Sequence, residues 1–309
     1  MWRRRATSAP TRPSPSPSPA RSFSPPSTLC WRVSLPVREG LRADFEAFAR
    51  DPAVAADGGA YPGRADEVTI ACLVARLFDD SVREAALRSD LEVLAAAGDA
   101  APTPWQGLAA LGFSGNLEDY ESLHNSNLSW VIAHRSGIPI TLGIVLMDVA
   151  RLRGLSARGV NFPGHFLVEV EGVIIDPFVM DTVDVAAALA RQPAAARSLP
   201  PERLFVPAPP LAVGLRMLNN VKAALIRTGT DDLLLDVIDA QLALAPGEPV
   251  LLLERGDWWR RLGVLAPARQ AYREALNAIG AGDDERSREL RGIARARLAA
   301  AEDGDPTRH

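Results

Sequence analysis

Cysteine is nearly absent from this sequence: two residues, Cys30 and Cys72, in 309. That count excludes a disulfide framework and a four-cysteine zinc site, while the length suffices to bury a core without such staples. A one-cysteine catalyst stays open, but Cys72 falls on the apolar side of a helical pattern, where a buried structural thiol is the ordinary outcome. The four histidines, His124, His134, His165 and His309, show no metal-ligand spacing, and no glycine-rich phosphate loop occurs. Neither a metal nor another cofactor is expected. Long apolar runs are missing too. The best stretch, Ile138–Val149, is interrupted by Pro139, Gly143 and Asp148 and falls short of the ~18 residues that span a bilayer. No apolar segment of a secretory signal follows the N-terminal arginines. The expectation is a cytoplasmic protein with no membrane partner.

Lysine occurs once, at Lys222, so the 34 basic residues are otherwise arginine, against 38 acidic ones. Seven of those arginines (Arg3, Arg4, Arg5, Arg12, Arg21, Arg32 and Arg38) lie in the first 38 residues, which hold no acid. The remainder therefore carries 27 basic and 38 acidic residues, a net charge of −11. A body this acidic is a poor partner for phosphate backbones, which demand clustered Lys and Arg, so direct nucleic-acid binding is not expected.

A soft prior of about 150 residues per domain suggests two domains. Residues 1–36, rich in Ser, Pro and Arg, read as a disordered basic tail, with the composition of a transit peptide or of translated upstream DNA. Residues 37–110 read as a helical N-terminal region, with helices over Glu39–Arg50 and Arg64–Ala97, the second broken before Val82, then a short helix or turn at Trp105–Phe113. Residues 111–182 mix helix and strand. A helix is predicted over Leu128–His134 and another from Pro139, whose missing N–H costs nothing in a first turn, to Arg153, with Gly154 as its stop. A strand over Ser156–Asn161 precedes a hairpin of His165–Val170 and Val173–Asp176 about a turn at Glu171-Gly172. Residues 183–213 contain a short helix at Asp184–Arg191 and otherwise read as a Pro- and Ala-rich linker.

From residue 214 to 302 the chain reads as helical hairpins. A 34-residue offset aligns Val237 with Ala271, Leu242 with Leu276 and Pro246 with Gly280, and 34 is the tetratricopeptide period. In the second unit Gly256 takes the small helix position, Trp259 an aromatic one, and Ala268, Tyr272 and Ala275 continue the pattern; in the first, Lys222 and Gln241 take small positions. Unrelated helical hairpins are the competing reading. Such units stack because none buries its face alone.

The hairpin can be worked out residue by residue for a two-residue turn. Val170 then opposes Val173 and Val168 opposes Ile175. Because side chains alternate, Phe166, Val168, Val170, Val173 and Ile175 form a core face. His165, Leu167, Glu169, Ile174 and Asp176 form the other. His165 and Asp176 become diagonal neighbours ~7–8 Å apart at the backbone, within reach of an imidazole–carboxylate pair in which the acid orients the base. The N-terminus of the Pro139 helix, with its free N–H groups, is where a thiol nucleophile would be activated, yet Ile140 and Thr141 stand there.

These residues carry a resemblance. Gly115-Asn116, Tyr120, Asn125-Ser126, Asn127-Leu128, Gly137-Ile-Pro-Ile-Thr-Leu142, Phe162-Pro-Gly-His-Phe-Leu-Val168, Asp176-Pro-Phe178 and Arg216-Met-Leu-Asn-Asn-Val-Lys222 resemble the transglutaminase-like (papain-like) core with its Cys-His-Asp triad. More specifically, they resemble the bacterial family known as regulator of sirC expression, which joins that core to tetratricopeptide repeats. The resemblance covers roughly residues 40–280. It implies an α+β transglutaminase-like core behind a helical N-terminal region, followed by an all-α tetratricopeptide-like array. By position His165 takes the His place, Asp176 the Asp place, and Ile140 or Thr141 the Cys place; the family pattern has Ser or Thr there.

Two readings of function follow. In the first, the protein is a non-catalytic regulatory or protein-binding molecule. Its degenerate triad cleft holds a peptide or small ligand, its repeats dock a protein partner, and any effect on transcription is indirect. In the second, it hydrolyses or transfers amide or ester bonds, with Thr141 as nucleophile or an activated water, His165 as base and Asp176 as its orienter. Thr141 near a helix start has a structural reading as well, using its hydroxyl locally. Asn116, Asn125 and Asn127 either line a polar ligand groove or stabilise turns through their own side chains.

Overall fold

The computed structural model describes residues 35–55, 66–190, 200, 203–230 and 233–303. The expected disordered tail lies outside them except at its end, where α1 (Leu35–Arg50) begins. A 3₁₀ turn at Pro52–Ala55 follows, then α2 (Glu67–Arg76), α3 (Glu84–Ala97) and α4 (Pro104–Ala110). The start of α2 is fixed by a capping box: the Asp66 carboxylate accepts from the Val68 and Thr69 N–H groups at 3.0 Å each, while Thr69 Oγ1 accepts from the Asp66 N–H. Thr103 caps α4, and Pro104 fits its first turn.

Next come β1 (Ser114–Gly115), a 3₁₀ turn at Leu123–Ser126, α5 (Leu128–His134), β2 (Ser136–Gly137) and α6 (Pro139–Leu152). The two short strands pair in parallel, Ser114 with Ser136 and Gly115 with Gly137. Every residue of α6 from Pro139 to Ala150 is buried, which explains a helix apolar on nearly all sides. Gly143 lets it press on the sheet: a Cβ there would stand 2.8 Å from the Phe166 ring.

That sheet comprises β3 (Ala157–Phe162), β4 (His165–Val170), β5 (Val173–Asp176), β6 (Asp181–Thr182) and, after α7 (Val185–Ala190), β7 (Val206–Ala208). The order is β6-β5-β4-β3-β7, each pair antiparallel. At the β4–β5 turn Glu171 and Gly172 both have positive φ, 49° and 80°, the signature of a two-residue type I′ hairpin. The register follows: Val170 opposes Val173 and Val168 opposes Ile175.

Two expectations are corrected here. The hairpin has no single core face. Phe166, Val168, Val170 and Ile175 pack toward α6, but Val173, at the turn, is exposed. On the opposite face Leu167 joins Val160, Phe162 and Leu204 in a second cluster, with Ile174 and Phe205 against it. The segment 183–213 is also more than a linker: Val206–Ala208 is the edge strand beside β3, and Leu204 belongs to that second cluster.

Five helices follow: α8 (Pro210–Thr228), α9 (Leu234–Leu244), α10 (Pro249–Arg261), α11 (Leu265–Ile279) and α12 (Glu285–Asp303). The first of them starts at Pro210, ahead of residue 214. The helices α8 and α9 pack as one antiparallel pair and α10 and α11 as the next. In α10, Gly256 brings its helix against Tyr272 of α11; an added Cβ would lie 2.3 Å from that ring. In α8, Lys222 Nζ donates to Gln241 Oε1 at 3.1 Å and Glu254 Oε2 at 2.5 Å, so a polar network ties α8 to α9 and α10. Gly214 of α8 in turn sits against Ile70 of α2, where a Cβ would be 2.5 Å away. One apolar core accordingly includes Phe45, Ile70, Leu87, Ile144, Phe166, Met217 and Val237.

Candidate functional site

The register of β4 and β5 brings His165 and Asp176 to one end and one face of the sheet. Their side chains meet there, with His165 Nε2 2.9 Å from Asp176 Oδ1. The same carboxylate oxygen accepts from the Phe178 N–H at 2.9 Å, which ties the pair to the turn after β5. Both side chains keep a share of solvent contact, 31% for His165 and 25% for Asp176. Nε2 is thus the ring nitrogen committed to the carboxylate.

The turn is held from the other side by β1. The Gly115 N–H donates to the Phe178 carbonyl at 2.8 Å, and only glycine fits, because a Cβ at 115 would fall 2.3 Å from the Phe178 ring. Tyr120 meets that ring edge-on, with centroids 5.8 Å apart, and remains 53% exposed. Burial raises the Tyr120 phenol above its usual pKa, while Arg216 pulls it down and Asp176 pushes it up. Tyr120 therefore lies within electrostatic reach of both groups.

Thr141 stands in the first turn of α6, fully buried, and its Oγ1 donates to the Ile138 carbonyl at 3.1 Å. Ile140 beside it is also buried. The hydroxyl is thus spent on a local backbone bond of the kind Ser and Thr make near helix starts. Cys72 lies on α2 and faces a cavity of about 410 Å³ lined by Arg76, Asp80, Val82, Arg83 and Glu84. Burial pushes its thiol pKa up, the reverse of what a nucleophilic thiolate needs.

The three asparagines are occupied by the loop they stand in. Asn125, buried, donates to the Asp119 and Tyr120 carbonyls at 2.8 and 3.0 Å and accepts from Asn116 Nδ2 at 3.0 Å. Asn116 Oδ1 accepts from the Asp119 N–H. Asn127 caps α5 through the Ser129 and Trp130 N–H groups and donates to Asp79 Oδ2 at 3.2 Å. Their polar groups build the 116–127 loop and leave a groove-lining role without free donors on Asn125. Among the described residues, no group of three or more His, Cys, Asp or Glu is placed to hold a metal ion.

One residue at this end of the sheet had no assigned role in the sequence. Arg216 reaches from α8, donates to Asn161 Oδ1 at 3.1 Å and holds its guanidinium carbon 5.7 Å above the centre of the Phe166 ring. Its place in the motif Arg216–Lys222 was visible; that α8 returns across the end of β3 and β4 was not.

Residues 106–219 match the family model described as Transglutaminase-like superfamily. Two UPF0162 proteins of Xylella fastidiosa are 33% identical over 171 residues and 34% over 165, about half of this chain and 60% and 58% of theirs. The Homo sapiens F-box only protein 21 is 31% identical over 172 residues, half of this chain and 26% of that protein. The chain thus spans at most three fifths of these relatives. No solved structure matches significantly. Among the described residues no helix is long and apolar enough to cross a membrane. The part of the chain that matches this model runs from α4 to the middle of α8 and contains the His165–Asp176 pair and the five-stranded sheet.

Proposed function

We infer that this protein is a binding or regulatory molecule whose transglutaminase-like cleft recognises a ligand at the His165–Asp176 pair without an acyl-enzyme step. The observation that carries this reading is the state of Thr141. A covalent mechanism needs the nucleophile's oxygen within hydrogen-bond reach of the base, and this hydroxyl is buried on the Ile138 carbonyl instead. The helical hairpins of α8–α12, read as a tetratricopeptide-like array, supply a docking surface for a protein partner. Regulation of transcription, which the resemblance to the regulator of sirC expression family suggests, would run through that partner, because the acidic body offers no surface for DNA.

The test uses the full chain with p-nitrophenyl acetate and a panel of fluorogenic peptide amides, comparing wild type with His165→Ala. The expected result is background turnover in both and an unchanged intact mass. A mass adduct on Thr141, or turnover lost in His165→Ala, overturns the reading. One observation favours a second reading: the imidazole is oriented by Asp176 through Nε2 and partly open to solvent, as a base for an activated water would be. Turnover that depends on His165 but leaves no adduct would select it.

A further inference from the structure

We propose that the 116–121 loop and the turn that follows β5 together form a docking surface for a basic peptide segment with an apolar anchor. This surface is separate from the helical hairpins, and it does not rest on the reading of the His165–Asp176 pair as a ligand site.

Both turns are held in shape by their own bonds. In the loop, Asn116 Oδ1 accepts from the Asp119 N–H, and Asn125 donates to the carbonyls of Asp119 and Tyr120. In the second turn, Asp176 Oδ1 accepts from the Phe178 N–H, the Val179 N–H donates to the Asp176 carbonyl, and Asp176 stands opposite Asp181 across β5 and β6. Two contacts join the turns: the Gly115 N–H on the Phe178 carbonyl at 2.8 Å, and the Tyr120 ring against the Phe178 ring. Each turn nevertheless points a bulky aliphatic side chain into water. Leu117 is 83% exposed, the highest value among the described large apolar residues, and Val179 is 61% exposed; Tyr120, at the junction, is 53% exposed. Single exposed apolar residues are ordinary, but three gathered on two touching turns make a patch of the kind that marks an interface. Fixing them before contact removes part of the ordering cost of binding.

Charge names the occupant. Segments 114–134 and 171–190 contain seven Asp and Glu and no Lys or Arg. Two of those acids are spent locally, Asp176 on His165 and Glu121 on Arg227. Glu118, Asp119 and Asp181 are exposed and have no cationic partner among the described residues; the Asp181 carboxylate accepts from its neighbour Thr182. A second copy of this chain, presenting the same acids, would bring like charge onto like charge. A small molecule is a poor occupant as well, because it needs a concave site to cover most of its surface, and side chains this exposed project outward. A peptide segment with Lys or Arg flanking a large apolar residue meets both features. Its cations face Glu118, Asp119 and Asp181, and its apolar residue covers Leu117 and Val179.

The test selects random decapeptides displayed on phage against the full chain, with counter-selection on Leu117→Ser/Val179→Ser. That variant and Glu118→Gln/Asp119→Asn/Asp181→Asn change only exposed side chains, and both are first checked for a wild-type urea midpoint. The peptides recovered should combine at least two Lys or Arg with a large apolar residue. A synthetic copy of the most enriched should bind the wild type about tenfold more tightly than either variant and shift the NMR amide signals of 116–121 and 177–182. Added salt should weaken its binding to the wild type more than to the charge variant. Enrichment of acidic or uncharged peptides overturns the proposal. So does a selection that yields no peptide able to tell the wild type from the Leu117→Ser/Val179→Ser variant, or amide shifts confined to α8–α12, which would return all docking to the helical hairpins.

Discussion

Asp148 makes stability depend on pH in a direction opposite to most carboxylates. It stands on α6 with its side chain almost fully buried, near Asp66 and Glu67 at the start of α2 and Arg88 and Arg151. Burial first, then the charge of Asp66, lift its pKa from 3.8 to about 6, with Arg88 and Arg151 offsetting part of the rise. An acid whose folded value is raised gives its full stability below the unfolded value and loses it as pH climbs through the folded one. The window therefore runs from about pH 4 to about pH 6. At about pH 7, the gap between 3.8 and about 6 corresponds to a penalty on the order of 3 kcal/mol. Asp148→Asn keeps the shape and removes the titration. It should leave stability near the wild-type value at about pH 4 and raise it by up to about 3 kcal/mol at about pH 7. Urea unfolding of both proteins at several pH values measures the difference, in which titrating groups remote from Asp148 cancel. A difference that stays flat across that range, or Asn less stable at the upper end, would refute the assignment of a desolvated carboxylate.

Gly256→Ala should destabilise by about 1–3 kcal/mol through overpacking on Tyr272, although alanine is the better helix former. Gly292→Ala, in α12 with nothing within 4 Å of the added Cβ, should stabilise by up to about 1 kcal/mol; urea midpoints compare the two, and equal shifts would contradict the packing seen at Gly256. Asn127→Ala removes the α5 cap and the bond to Asp79 and should cost about 1–2 kcal/mol, with amide exchange at Ser129 and Trp130 rising before that of α6. Thr141→Cys, in a background without Cys30 and Cys72, should be alkylated by iodoacetamide far more slowly than free cysteine. Fast alkylation that depends on His165 would place this position in the cleft after all.

Much of the fold could be read directly because its signals are local. Leu128–His134 forms the predicted α5 residue for residue, and α6 runs from Pro139 to one residue short of the expected end. The β4–β5 hairpin follows from two residues, Glu171 and Gly172, whose positive φ values set the turn and therefore the register. What escaped was set by distant packing. The strand Val206–Ala208 is three residues long with a central proline, a composition that reads as connection and that a sheet tolerates at its edge. Whether Leu167 and Ile174 face solvent or a second cluster depends on Leu204 and Phe205, some thirty residues away, and no periodicity within the hairpin reports it.

The site divides along the same line. The His165–Asp176 contact is a consequence of strand alternation and a two-residue turn, both local. The fate of Thr141 is decided by the Ile138 carbonyl, which takes its hydroxyl, and by Gly137, where a Cβ would stand 3.1 Å from that oxygen; the fate of the asparagines is decided by the loop that folds on them. Arg216 is the extreme case, because its role depends on where a single helix goes. Along α8, Gly214 presses on Ile70 of α2, Arg216 lies over Phe166 of the sheet, and Lys222 bonds Gln241 and Glu254 of α9 and α10. Arg227, on the same helix, pairs with Glu121 at 3.0 Å in the loop that carries Tyr120. A helix pinned at four points to five different neighbours has little freedom to slide. The start of the helical hairpins expected at residue 214 and the end of the family-model match at residue 219 both fall inside this one helix, so neither marks a break in the structure.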